Sequence, residues 1–198
     1  KEVMDLFSLT ALEICEGQQM DMEFEQRNDV TAEEYLEMIR LKTAVLLAAS
    51  LKIGARLGGA SVEDADRLYD FGMHIGVAFQ LKDDLLDVYG NAKVFGKNIG
   101  GDILCNKKTY MLIKALEHAN ADQHNQLNSW INAETFQPAE KIAAVTELYD
   151  RIGVKAVCEN KILEYSNRAM ESLAAVSIAE EKKEELKKII ENLIHREV

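Results

Sequence analysis

Apolar residues along this chain recur at the three- and four-residue spacing of helices, and no segment keeps the alternation of a half-buried strand. The pattern is already running at the start. Val3, Leu6, Phe7, Leu9 and Leu12 lie on it with no capping residue before them, so the chain is expected to begin inside a helix. Thr31 with Glu34 forms a capping-box signature, which opens a helix predicted to reach Gly58 or Gly59. Ser61 with Asp64 repeats the device for a helix over about residues 62 to 88. From Gly90 to Gly101 the periodicity gives way to a loop. Helices are predicted again at about 104 to 119, 122 to 133, 138 to 151, 153 to 176 and 180 to 196. Pro138 suits the first turn of its helix, where no N–H is needed. Seven or so helices without strands make an all-α bundle. Gly72 and Gly76, four residues apart on one helix, predict close approach of a neighbouring helix or a ligand, a packing notch being the plainer alternative.

Composition narrows the class. At 198 residues the chain is one domain or part of a larger one, and 47% hydrophobic with 29% charged residues excludes wholesale disorder. A single proline, Pro138, leaves little to interrupt helices. The formal charge of −11, from 23 basic and 34 acidic residues, argues against a nucleic-acid partner, because the protein's own field repels a phosphate backbone. Any bound phosphate is then expected to come with metal ions. Cys15, Cys105 and Cys158 are odd in number and lack a CxxC spacing, which fits a reducing, cytoplasmic setting. The most apolar stretch, Ala44 to Gly59, contains Lys52 and Arg56 and is shorter than the roughly 20 residues of a membrane span. It reads as a buried core helix.

The chemistry concentrates near the end of the helix that Ser61 opens. Asp83, Asp84 and Asp87 fall at i, i+1 and i+4 close to its C-terminus, where like charges one turn apart and carboxylates at the negative helix end are both unfavourable. Such a breach of local rules calls for an offsetting partner, and a hard divalent cation such as Mg²⁺ is the natural one; a solvated acidic helix end is the alternative. Phe79, Leu81, Leu85 and Leu86 flank the acids, so a partly buried cleft is expected, with Gln80 on the face of Asp83. Lys97, Lys107 and Lys108 follow among glycines, a pattern suited to a diphosphate held between Mg²⁺ and ammonium groups. A phosphate-binding P-loop of the Walker type is disfavoured, since Asn98 follows Gly96-Lys97. Lys42 and Thr43 interrupt an apolar run, which makes Lys42 either an anion contact or a lysine reaching to the surface. Gln18 and Asp21 share a face upstream.

In chain order, Gly17-Gln18 with Asp21, Lys42-Thr43, Phe79-Gln80 with Asp83-Asp84-Leu85-Leu86-Asp87, Gly96-Lys97, Gly100-Gly101-Asp102 and Lys107-Lys108-Thr109-Tyr110 together resemble the C-terminal part of a trans-isoprenyl diphosphate synthase, the polyprenyl synthetase family. The motifs cover roughly residues 10 to 112. The resemblance implies an isoprenoid synthase-type helical bundle around a cleft. It also implies Mg²⁺-dependent condensation of isopentenyl diphosphate with an allylic diphosphate, giving a short-chain farnesyl or geranylgeranyl diphosphate and pyrophosphate. By matching position, Asp83, Asp84 and Asp87 would hold metal, with Asp83 foremost. Lys42 and Lys97 would hold the leaving diphosphate, Lys107 would support it, Thr43 and Gln80 would line the reacting carbons, and Phe79 and Gln18 would lie on the substrate side.

The family pattern also has a first DDxxD motif upstream of the GQxxD segment, and only sixteen residues precede Gly17 here. Residues 1 to 198 are therefore expected to be the C-terminal part of one prenyl synthase domain, inactive by themselves and prone to homodimeric or higher association. Two other readings remain at this point: a non-catalytic partner subunit of a prenyl synthase, and a class I terpene cyclase.

Overall fold

The computed structural model describes residues 1–90 and 99–194. Lys97, and with it Gly96, lies outside the described residues. Among the described residues every regular element is helical: α1 (Glu2–Phe24), α2 (Ala32–Ile39), a π-helical stretch (Arg40–Ala44), α3 (Val45–Leu57), α4 (Val62–Tyr89), α5 (Gly101–Leu104), α6 (Tyr110–His118), α7 (Ala121–Ile131), α8 (Pro138–Ile152), α9 (Val154–Ala174), a 3₁₀ turn (Glu180–Lys182) and α10 (Glu184–Ile194).

Local chemistry sets most boundaries. The Thr31 hydroxyl accepts from the Glu34 N–H while the Glu34 carboxylate accepts from the Thr31 N–H, a reciprocal cap of about 1 kcal/mol. Ser61 caps α4 in one direction only, accepting from the Asp64 N–H. Asn120 and Gln123 make a second reciprocal box at α7, and Pro138 opens α8 as its first residue.

Two predicted helices are not uninterrupted α-helices. The run from Thr31 to Gly58 changes to π-helix over residues 40–44, where the wider turn admits one extra residue. The segment predicted at 104 to 119 breaks instead: Asn106 takes the left-handed conformation at φ 52°, and Thr109 caps a fresh helix. Asparagine tolerates that conformation and threonine serves as a cap, which together outweigh the apolar periodicity on either side.

The long helix α4 is central and packs most extensively against α9 and α3. A Cβ at Gly72 would come within 2.6 Å of the Ala48 backbone, and one at Gly76 equally close to Ala44. The two glycines are thus the notch into which a neighbouring helix fits. Opposite them α9 offers Val154, Cys158, Ile162, Ser166, Ala169 and Leu173, all buried at three- and four-residue spacing. Each large apolar side chain buried in this way contributes about 1.5–3 kcal/mol. On α1 a different surface remains: Met4, Phe7, Leu9 and Leu12 are each more than half exposed, from 55% to 63%.

Candidate active site

The site is built where α4 ends. Around its last turns stand the π-helical stretch, α1, α2 and the turn running from α5 to α6. The π-helix presents Lys42 and Thr43 together, and it can do so because α1 presses against it at Gly17, where any side chain would collide with the Lys42 backbone N. The sequence leaves Lys42 as either an anion contact or a lysine reaching to the surface; in the structure its Nζ lies 2.6 Å from Asp21 Oδ2, with the lysine side chain 34% exposed. Gln18 is exposed on the same helix, as is Phe79 on α4 at 42%.

Thr43 Oγ1 donates to Gln80 Oε1 at 3.2 Å, and Gln80 Nε2 donates to Asp84 Oδ1 at 3.1 Å. The other Asp84 oxygen accepts from the phenol of Tyr35, on α2. Gln80 was expected beside Asp83, three residues on; its bond goes to Asp84, since the next full turn of an α-helix lies nearer four residues away. Asp84 is buried, and both its oxygens are engaged. Burial pushes its pKa up to about 7, although the Lys107 charge and the Tyr35 and Gln80 hydrogen bonds all act to lower it. Tyr35 is wholly buried, and burial beside the Asp84 carboxylate raises its phenol well above the usual range.

Asp83 and Asp87 are half-buried. Asp87 fixes the start of the next segment: its backbone carbonyl accepts from the Gly100 N–H at 2.6 Å and its Oδ2 from the Asp102 N–H at 3.0 Å. Gly100 accomplishes the reversal at φ 85°. Burial raises the pKa of Asp102, Lys107 lowers it, and the carboxylates of Asp87 and Asp83 raise it further. Asp87 and Asp102 thus adjoin, and the Asp83 charge acts on the same carboxyl. Lys107 answers them, its Nζ 3.5 Å from Asp102 Oδ1. Burial acts against the Lys107 charge, yet Asp84, Asp102 and Asp21 outweigh it and leave the pKa raised. Asp21, Gly101, Asp102, Lys107 and Lys108 line a cleft of about 560 Å³.

This arrangement can bind a polyanion through cations. Lys42 pairs with Asp21, Lys107 lines the same cleft as Asp21, and Asp83, Asp87 and Asp102 are carboxylates, the hard donors that Mg²⁺ takes. Among the described residues no three such side chains close into a ready-made metal cage.

The polyprenyl synthetase family model matches residues 1–149. The chain belongs to the polyprenyl synthetase family. Along its full length this family member is 38% identical to the short chain isoprenyl diphosphate synthase of Methanothermobacter thermautotrophicus, of which it covers 59%. It superposes over its whole length on a crystal structure of geranylgeranyl pyrophosphate synthase with a TM-score of 0.93 and 38% identity, covering 61% of that chain. A geranylgeranyl pyrophosphate synthase from Corynebacterium glutamicum, solved with isoprenyl diphosphate and magnesium, matches 98% of the chain at a TM-score of 0.89 and 29% identity, with 55% of that structure covered. The chain thus spans about three fifths of the length of these relatives. The all-α class expected from periodicity is the family's own. Among the described residues no helix is long and apolar enough to cross a membrane.

Two residues of this polyprenyl synthetase site, Tyr35 and Asn106, are not singled out by the sequence, and Asp102 stands there only as part of the Gly100-Gly101-Asp102 motif, without a role. Tyr35 had one available signal, since a tyrosine on the apolar face of a helix must find a partner for its hydroxyl.

Proposed function

We propose that the chain carries the diphosphate- and metal-binding half of a short-chain trans-prenyl diphosphate synthase, which joins isopentenyl diphosphate to an allylic diphosphate with release of pyrophosphate. The observation that supports this most is the meeting of Asp87, at the end of α4, with Asp102 and Lys107, which line one cleft, in a chain 38% identical to a geranylgeranyl pyrophosphate synthase. Mg²⁺ would be held by Asp83, Asp87 and Asp102, and when bound it would neutralise the diphosphate oxygens as the allylic C–O bond breaks. Asp84, inward and hydrogen-bonded on both oxygens, stands behind that set and ties it to Gln80, Thr43 and Tyr35.

Lys42, Lys97 and Lys107 would hold the leaving group, with Lys42 moving from Asp21 to the phosphate. The Thr43 hydroxyl and the Gln80 amide would line the place where positive charge develops on carbon, and their oxygens would favour it. Phe79 and Gln18, both exposed, would meet the prenyl chain and isopentenyl diphosphate respectively. Product length of the farnesyl or geranylgeranyl class, a cytoplasmic setting and a homodimer belong to the same proposal. Three unpaired cysteines and the exposed apolar row of α1 support the last two.

Turnover is assigned to a complete pair of aspartate motifs. We infer that residues 1–198 form the C-terminal part of that synthase domain, binding magnesium diphosphate but giving no product by themselves. Joined to the N-terminal two fifths of the Methanothermobacter relative, they should convert an allylic diphosphate and isopentenyl diphosphate into a longer prenyl diphosphate. A folded chimera that yields none would overturn the assignment.

A further inference from the structure

Lys141 lies outside every motif of the site, yet it is one of the most deeply buried side chains in the protein, 1% exposed. It stands in the first turn of α8, where its backbone N–H bonds the Gln137 carbonyl. A cation in that position is unfavourable twice over, because it is removed from water and because it sits at the positive end of the helix dipole. Burial accordingly lowers its pKa. An apolar side chain of the same length would fill the space without either cost.

What the ammonium does is grip Asn106. Nζ lies 2.7 Å from Asn106 Oδ1, and its other side rests on the Phe136 ring, 4.3 Å from the centroid. The Asn106 amide in turn donates to the Ile131 carbonyl at 3.0 Å, at the end of α7. Asn106 is the residue with positive φ at which the chain turns from α5 toward α6, and the turn it shapes closes with the Lys107 N–H on the Asp102 carbonyl at 3.0 Å. Asp102, Asn106, Lys107, Thr109 and Lys141 line a common cavity of about 20 Å³ beneath that turn, room for about one water. The next residue of α8 supports the other end of the segment: a Cβ on Gly100 would fall 2.7 Å from the Ile142 side chain. One helix start therefore backs the whole stretch from Gly100 to Lys107.

We propose that Lys141 is a positioning residue, which through Asn106 clamps the turn that carries Asp102 and Lys107 to the edge of the cleft. The purpose of the clamp rests on the prenyl-transfer reading; the clamp itself rests on these contacts alone. A buried charge retained where a hydrocarbon would pack more cheaply is accounted for by the single geometry it enforces.

The test is Lys141→Met, which keeps the unbranched stem and removes the charge and its donors. Two readouts are taken on the 198-residue chain: amide hydrogen exchange by mass spectrometry, and titration with inorganic diphosphate in the presence of Mg²⁺. Exchange over residues 102–109 should accelerate about tenfold while that of α4 stays unchanged. Diphosphate affinity should weaken about tenfold, with a smaller further loss when Lys141→Met is added to Lys107→Ala, because the turn then still carries Asp102 but no longer Lys107. Unchanged exchange in the turn overturns the proposal, and so does an affinity loss that adds in full to that of Lys107→Ala. If the unaltered chain binds no magnesium diphosphate, the prenyl-transfer reading fails, and the exchange result still decides the clamp. Should Lys141→Met fail to fold, Asn106→Gly preserves the left-handed backbone and removes the clamp from the other side. It must give the same local acceleration.

Discussion

The two halves of α4 obey different rules. From Val62 to Ala78 the helix is what local physics favours: a serine cap, acids in the first turn, and an apolar face notched by Gly72 and Gly76 so that α3 can approach. From Phe79 to Tyr89 it gathers Asp83, Asp84 and Asp87 at the end where the helix dipole is already negative. The first half is explained by its packing within the chain. The second makes sense only with outside charge, part of it from Lys107 and the rest, on the reading proposed here, from Mg²⁺ on a diphosphate. Where a sequence offends local preference along one half of a helix that is otherwise well made, the offence marks the site.

The largest expected effect separates the halves directly. Asp83→Ala should cost about a thousandfold or more in prenyl transfer by the complete enzyme, roughly 4 kcal/mol of transition-state stabilisation, while the thermal midpoint holds or rises. Steady-state kinetics beside a melting curve would show it. A loss of stability to match the loss of rate would erase the distinction.

Asp84 sharpens it next. Its carboxyl is raised toward 7 in the folded protein against 3.8 as its ordinary value, so the folded state binds more protons between those limits. Stability should therefore fall as pH rises from about 4 to about 7, on the order of 1 kcal/mol per unit, and level off above. Denaturant unfolding at several pH values should show that slope, and Asp84→Asn, which mimics the protonated acid, should flatten it. An unchanged slope in Asp84→Asn would mean that another group carries it.

In the first half, Gly76→Val should destabilise by about 1–3 kcal/mol through overpacking against Ala44, read as a lower urea midpoint with an unchanged slope. Because Ala44 ends the π-helical stretch, some diphosphate affinity should be lost with it. Smallest is Thr31→Ala, which removes the cap of α2 and should cost about 1 kcal/mol without touching the site. Equal effects of these two on binding would blur the line between the notch and the caps.

Much of this was legible in the sequence because the signals are local. Caps such as Thr31 and Ser61, the glycine notch and the acidic triad each announce themselves within five residues. What stayed hidden depends on distance through space or on competition between close alternatives. Tyr35 and Asp84 are 49 positions apart, and nothing in either segment names the other. The π-helical turn holding Lys42 and Thr43 differs from an α-turn by one hydrogen-bond register, which side-chain periodicity does not resolve. Asn106 breaks a run that reads as helical from its apolar residues, and the partner that holds it in place, Lys141, reads from sequence as one more surface lysine. Lys97, predicted beside Lys107, lies outside the described residues and keeps its role as a proposal.

The central claim is that the acidic end of α4 and the Asp102–Lys107 turn form one cation-dependent diphosphate site. Calorimetric titration of the protein with inorganic diphosphate, with and without Mg²⁺, tests it most directly. Binding should require Mg²⁺, disappear in Asp83→Ala and weaken in Lys107→Ala. Diphosphate that binds as well without Mg²⁺, or that ignores Asp83→Ala, would contradict the account.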